Sequence, residues 1–499
     1  MTAHMSARPN ILLITADQWR GDCLGTIGHP VVKTPNLDAF AETATVFEQH
    51  YAATAPCSPA RASLYTGLYQ MNHRVVWNGA PLDDRFDNIA RAARRAGYAP
   101  TLFGYTDTSP DPRLHHPDDP ALKTYEGVLP GFEVRQALPE DDKPWLSWLA
   151  ARGHDPESLA RIHHVAPEDG ELISRSSPRY SKEETQTTFL TDAFLSWLGE
   201  QNAYRPWMAH VSFLRPHPPI VVPEPYNTLY DAEDGPDFAG AATPREEVAL
   251  HPLIAALQDY QHASSHVPGL EKHVRDLTRH DLKRLRALYW GMISEVDAQL
   301  GRIFEALSED TIVIFTSDHA EMMGDHWMLG KGGFYRESYH IPLIIRLPGG
   351  ARANRVSAFT SATDIFPTLI DLLDLEPEHA PDGASLKLFL SGETPLSWRD
   401  AALWEFDYRQ LLKKWPGHFP QNAGEASPAL ISRLGPDWQY VHFSAMESLL
   451  LANSGQPPED QAAEQPAVTL ANLDALLSTR MRHNDETLAR SLVWDYYST

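Results

Sequence analysis

The amino-acid sequence predicts an α/β fold: a mixed, mostly parallel sheet between helices, with a smaller α+β subdomain at the C-terminal end. Three observations carry this expectation. Short β-branched runs alternate with amphipathic stretches up to about residue 380, as expected of a sheet interleaved with helices. Polar, chemically capable residues directly follow four of those runs. Beyond about residue 380 the alternation weakens, which divides the chain into a main domain over 1–380 and a subdomain over 381–499. A chain of 499 residues is longer than one core usually serves, so two bodies are expected.

Taken in order, residues 10–16 read as the first strand, 99–103 as a short second and 207–213 as a third. Residues 311–316 are the most β-branched run, and 342–347 continue the set. The clearest helix spans 281–307. Leu285, Leu288, Tyr289, Met292, Val296, Leu300, Ile303 and Phe304 recur there at three- and four-residue spacing and form one apolar stripe. Residues 364–373 make another helix. Residues 215–250, rich in Pro, Asp and Glu, read as a long surface excursion. In the tail, 438–443 reads as a strand and 473–481 as a helix.

Composition narrows the function. The formal net charge of −24 argues against nucleic acid and anionic membranes as partners. An anionic substrate would need local cations to override that field. No apolar run reaches the roughly 18 residues of a membrane span. The first nine residues are short and polar and lead straight into Ile11 and Ile14, leaving no space for a signal peptide. A cytoplasmic location and no membrane partner are the expectation. Two cysteines, Cys23 and Cys57, exclude a disulfide framework and a cysteine-rich zinc site.

The four post-strand positions are Asp17 and Gln18, Tyr105 and Asp107, Arg215 and His217, and Asp318 and His319. Ligands of open α/β sheets bind at the carboxyl ends of the strands, so these segments point at one site. Cys57 opens a further segment. Pro59 suits the first turn of a helix and Gly67 its stop. Cys57 then sits at a helix N-terminus, where free N–H groups favour an anion. Arg61, one turn on, adds a cation. Besides a plain buried thiol, two active readings stand: a thiolate of lowered pKa, or a modified cysteine. The run Cys57-Ser58-Pro59-Ala60-Arg61 matches Cys-x-Pro-x-Arg, the pattern that formylglycine-generating machinery oxidises.

With Asp17-Gln18-Trp19-Arg20, Thr34-Pro35-Asn36-Leu37-Asp38, Met71-Asn72-His73-Arg74, Gly104-Tyr105-Thr106, Arg215-Pro216-His217-Pro218-Pro219, Ser317-Asp318-His319, Gly330-Lys331-Gly332 and Trp404-Glu405-Phe406-Asp407, the chain resembles a known family. It is similar to the formylglycine-dependent sulfatases of the alkaline phosphatase superfamily, and within them to bacterial arylsulfatases and phosphonate monoester hydrolases. The resemblance runs from Asn10 to about Phe443 and implies an alkaline-phosphatase-like fold.

The resemblance also implies the site. Asp17, Gln18, Cys57, Asp318 and His319 would ligate one divalent metal. Arg61, Lys331 and His217 would act on the ester, with His217 as general acid to the leaving oxygen. Asn78 and Tyr105 match substrate-contacting positions, and His73 would orient the formylglycine. Asp107 stands where the phosphonate hydrolases carry Thr. Many sulfatases carry Asp-Asp and Asp-Asn where this chain has Asp17-Gln18 and Asp318-His319. The imidazole favours Mn²⁺ over Ca²⁺. The implied reaction is attack by a hydrated aldehyde at position 57, loss of the leaving alcohol and C–O cleavage to free the acid. Substrates would be small sulfate, phosphonate or phosphodiester esters, and a formylglycine-generating enzyme is the implied partner. A homo-oligomer is compatible with the sequence. Competing readings are a phosphonate monoester hydrolase or phosphodiesterase as main activity, a two-metal phosphatase or phosphomutase of the same superfamily, a redox thiol at Cys57 paired with Cys23, and a degenerate binding protein.

Overall fold

The computed structural model describes residues 8–202, 205–349, 353–424, 428–453 and 458–482. Its first strand, β1 (Asn10–Ala16), explains its own apolar run. Ile11 and Leu13 face one core, while Leu12, Ile14 and Ala16 face another. A strand buried on both faces has no need of polar alternation.

Seven more strands join it: β2 (Thr45–Tyr51), β3 (Thr101–Gly104), β4 (Glu133–Ala137), β5 (Met208–Phe213), β6 (Thr311–Thr316), β7 (Leu343–Arg346) and β8 (Asn354–Ser361). They lie in the order β4-β3-β5-β1-β6-β7-β2-β8. The run from β4 through β6 is parallel. β7 is antiparallel to both its neighbours, and β2 pairs with β8 in parallel. A second sheet holds β9 (Ala402–Asp407), β10 (Ala429–Leu434), β11 (Trp438–Phe443) and β12 (Leu449–Ala452), all antiparallel. β9 ties it to the main body. Thr54 bridges Glu405, and Trp404 stacks on Tyr51 at 5.7 Å and on Tyr339 at 4.9 Å. The tail helix spans Pro466–Arg482.

The long helix spans Arg279–Ala306, and Thr278 and Asp281 cap it reciprocally. Leu285, Leu288, Met292, Val296, Leu300 and Ile303 are buried as the stripe requires, while Phe304 is only partly so. Tyr289 lies on the same face. Its hydroxyl donates to the Gln18 carbonyl at 2.7 Å and accepts from the Arg20 N–H at 3.0 Å. The helix therefore pins the loop that follows β1.

One expectation holds only in part. Residues 233–246 are exposed or only partly buried, as a surface excursion requires, but the first part of the 215–250 segment is not. Ile220, Val221, Val222, Tyr230 and Ala232 are buried, and the Tyr230 hydroxyl lies 2.6 Å from Ser294 Oγ on the long helix. The composition misleads because its acids are not all solvated: Glu247 is buried and faces the His326 ring at 2.8 Å.

Candidate active site

β3, β5, β1 and β6 are consecutive in the sheet and run parallel. Their carboxyl ends therefore meet along one edge, and the polar residues that follow them converge. Asp17, Cys57, Asp318 and His319 offer ligand atoms that all lie within 4.8 Å of one another, and all four are buried. Cys57 comes from the helix Cys57–Thr66, which starts at that residue and ends on Gly67 at φ 72°. Its Sγ lies 3.2 Å from His319 Nε2.

The imidazole of His319 is set for a cation. Its Nδ1 lies 3.0 Å from the Ala320 carbonyl, so Nδ1 carries the proton and the Nε2 lone pair faces the cluster. Nε2 is 3.8 Å from Asp17 Oδ1 and 3.7 Å from Asp318 Oδ2. Asp17 Oδ1 is buried with no hydrogen-bond partner. A carboxylate oxygen left bare in the interior is costly unless something positive meets it. Two carboxylates and an imidazole suit a divalent ion of intermediate hardness, so these residues fit the metal that the family implies.

Arg61 braces the carboxylates. Its Nη2 donates to Asp17 Oδ2 at 3.1 Å and its Nε to Asp318 Oδ2 at 3.0 Å. Ser212 Oγ accepts from Nη1 at 2.9 Å, and the guanidinium lies 4.2 Å over the Tyr105 ring. The Tyr105 hydroxyl donates to Asp17. Burial alone would raise the Asp17 carboxyl, but Arg61, His319 and Lys331 outweigh it and hold it below the usual range. Burial, reinforced by Asp17, pushes the Cys57 thiol up against the pull of Lys331. Burial and the neighbouring carboxylates therefore disfavour a thiolate at Cys57. Cys23 is a buried free thiol too. It lines a different cavity, with Arg20, Asp22 and Arg286.

Gln18 and Lys331 meet above the cluster. Lys331 Nζ donates to Gln18 Oε1 at 2.7 Å, and Gln18 Nε2 donates to Glu321. Burial opposes the charge on Lys331, but Cys57, Asp17 and Asp318 outweigh it and raise its pKa. Both side chains line a cavity of about 380 Å³ together with Asn78 and His217. Asn78 Oδ1 accepts from the Ser58 N–H at 3.0 Å and so caps the Cys57 helix from outside. His217 Nδ1 lies 2.8 Å from the Pro218 carbonyl. Burial and then Lys331 hold its pKa well below the usual value, so Nε2 carries a lone pair in the free protein.

Two sequence-derived residues stand apart. His73 Nε2 lies 2.9 Å from Ser63 Oγ, and its Nδ1 accepts from the Val75 N–H at 3.0 Å. It buttresses the Cys57 helix one and a half turns in. Asp107 is buried, with both carboxyl oxygens unpartnered and Arg61 Nε 3.9 Å away. Burial, against the pull of Arg61, pushes its pKa well above the carboxylate range. Sequence reasoning missed Glu321, Ser212 and His266. Glu321 was findable as a second carboxylate just past β6, whereas His266 arrives on a loop with no local signal.

Comparison with known proteins agrees with this geometry. Residues 9–375 match the model of the Sulfatase family. The multifunctional alkaline phosphatase superfamily protein PehA of Trinickia caryophylli is 37% identical, with 96% of this chain and 97% of that protein covered. An arylsulfatase of Clostridium perfringens is 30% identical over 79% of this chain and 80% of its own. The solved phosphonate monoester hydrolase of Agrobacterium radiobacter superposes with a TM-score of 0.91 at 55% identity, covering 97% of both chains. The chain is a hydrolase that belongs to the sulfatase family, within the alkaline phosphatase superfamily.

Proposed function

We propose that the chain hydrolyses singly anionic esters at sulfur or phosphorus: phosphonate monoesters and phosphodiesters, together with aryl sulfates. The observation that carries this is the convergence of Asp17, Cys57, Asp318 and His319 within 4.8 Å, braced by Arg61 and overhung by Lys331. Asp17, Asp318 and Glu321 set three carboxylates against two cations. A divalent ion would turn that balance to one positive charge, which suits a monoanion better than a dianionic phosphate monoester. The relatives carry sulfatase and phosphonate monoester hydrolase names, and the reading extends those activities to this chain.

A divalent ion held by Asp17, Asp318, His319 and Gln18, with Mn²⁺ favoured, would supply Lewis acidity. A formylglycine made from Cys57 would supply a nucleophile that can be reset by C–O cleavage. The protein's own side chains do the rest. Arg61 favours the ionised form of Asp17 and fixes both Asp17 and Asp318 by hydrogen bonds. Lys331 meets a non-bridging oxygen of the ester. Asn78 and Tyr105 bound the substrate. His217 gains its proton once the bound anion offsets Lys331, and passes it from Nε2 to the leaving oxygen. Burial raises the Asp107 pKa, which weakens the negative charge it would set beside the substrate.

Two measurements test the reading together. Mass spectrometry of the Cys57 peptide should show the aldehyde and its hydrate rather than a thiol. Phenyl phosphonate, phosphodiester and aryl sulfate assayed side by side should all be cleaved, and Cys57→Ala should cost several orders of magnitude in kcat. A fully alkylatable thiol in active protein would overturn the mechanism.

A further inference from the structure

The active-site cavity has a wall that the reaction above does not use. His266 lines it, beside Gly330 and Lys331. The residue is only 7% exposed, yet neither ring nitrogen has a hydrogen-bond partner of good geometry, the His262 backbone alone interacting with the ring. A Cβ on Gly330 would lie 3.6 Å from His266 Nε2, so the ring abuts the loop that carries Lys331. The backbone around it is fixed. Its N–H donates to the Ala263 carbonyl at 2.9 Å, and its carbonyl accepts from the Ile220 N–H at 2.7 Å. A buried imidazole on a fixed backbone with no well-formed hydrogen bond at either nitrogen is costly unless a partner arrives.

The surroundings indicate which partner. Trp77, Tyr260 and Phe406 line the same cavity. Trp77 meets Tyr260 edge-on at 6.4 Å and Phe406 at the same distance. Such faces favour an aromatic ring. The anionic end of the ester is claimed by Lys331 and the cluster around Cys57, so the outer cavity faces the leaving group. Burial and Lys331 lower the His266 pKa against the pull of Glu321. A neutral imidazole offers one N–H and one lone pair, which suits an uncharged hydroxyl or amide.

Resting on the hydrolase reading above, we propose that His266 is the polar anchor of a leaving-group subsite, hydrogen-bonding a hydroxyl or amide on an aryl alcohol seated against Trp77, Tyr260 and Phe406. The subsite selects which aryl ester is turned over and takes no part in bond cleavage. His266 is a specificity-determining residue, distinct from His217.

The test compares phenyl phenylphosphonate with its 4-(hydroxymethyl)phenyl counterpart in the wild type, His266→Ala and His266→Gln. The wild type should favour the hydroxymethyl ester. In His266→Ala the ratio of the two kcat/KM values should fall about tenfold, as when a site loses its partner for a substrate hydroxyl. His266→Gln, which keeps a donor and an acceptor, should recover part of the ratio. An unchanged ratio in His266→Ala overturns the proposal, and so does a parallel fall on both esters, which would mark a structural role. Calorimetric titration of phenol and 4-(hydroxymethyl)phenol separates this from the parent reading. If the wild type cleaves neither ester, the hydrolase reading fails. A preference for 4-(hydroxymethyl)phenol that His266→Ala abolishes would still support the subsite, and equal binding of the two phenols would overturn it.

Discussion

Glu321 orients the Gln18 side chain beside Lys331. It is fully buried, and its carboxylate accepts from Gln18 Nε2 and from the Met323 N–H at 3.0 Å. With Nε2 held there, Gln18 Oε1 must face Lys331. One carboxylate thereby fixes the orientation of the amide and the place of the ammonium. Glu321→Gln keeps the shape and removes the charge, so the Gln18 amide can flip and release Lys331. We expect kcat/KM to fall by roughly 10- to 100-fold, the range typical for residues that support a metal site, with the thermal midpoint nearly kept. Steady-state kinetics beside a melting curve checks this, and an unchanged kcat/KM would remove Glu321 from the machinery. The contrast with the residues that were legible is physical. Asp17, Gln18, His217, Asp318 and His319 announce themselves because they follow apolar strands, and Cys57 and Arg61 because Pro59 and Gly67 frame a helix. Glu321 follows β6 as a second carboxylate, but its partners Gln18 and Met323 are set by the fold, and His266 reaches the site on a loop that no local pattern marks.

At the scale of elements, the helix Cys57–Thr66 carries the nucleophile position, and its C-terminal stop is tightly built. Gly67 has φ 72° and donates its N–H to the Ser63 carbonyl at 2.9 Å. Its own carbonyl accepts from the Asp382 and Gly383 N–H groups at 2.9 and 3.1 Å. A Cβ there would sit 3.1 Å from the Thr363 carbonyl oxygen and 3.2 Å from Phe366. Gly67→Ala should therefore cost about 1–2 kcal/mol for the left-handed backbone, with crowding added. Gly28→Ala is the control: φ is 93° there and nothing lies within 4 Å, so only the backbone cost remains. Urea denaturation of both variants separates the two contributions, and equal losses would show that crowding at Gly67 is negligible. The same scale shows which elements were readable. β1, β6 and β11 match their expected bounds because each is a compact apolar or β-branched run. β2 went unread because Glu48, Gln49 and His50 interrupt it. There Arg355 pairs with Glu48 at 2.7 Å, and His50 Nδ1 lies 2.9 Å from Thr360 Oγ1. β4 is an edge strand with Glu133, Val134 and Arg135 exposed, so its pattern resembles a loop. β9, β10 and β12 were hidden in the weak tail, where only the pairing of neighbours defines them.

Across the whole molecule, the −24 charge coexists with a chain of ion pairs behind the site that is half-exposed at Asp22 and buried beyond it. Arg20 joins Asp22 and Asp325, and Arg286 joins Asp325 at 2.8 Å. His326 then faces Glu247 at 2.8 Å and Glu337 at 3.6 Å, and stacks on Tyr335 at 3.5 Å. These pairs tie together the loop after β1, the long helix, the 215–250 segment and the loop leading to Lys331. Burial alone would lower the His326 pKa, but Glu247 and Glu337 outweigh it and raise it to about 9. Its folded value thus exceeds the unfolded value of about 6.5. The contribution is fully present below the unfolded pKa and is lost as pH rises through about 9. For a shift of this size it amounts to a few kcal/mol, on the order of 3 at most. Between pH 7 and 10 the wild type should lose thermal stability, and His326→Gln, which cannot charge, should show a flatter alkaline limb from a lower starting point. Both chains keep the other groups that titrate in this range, so the difference between the two profiles isolates the histidine. Parallel profiles would mean that His326 is neutral in the folded state and that the 215–250 segment is held without its charge.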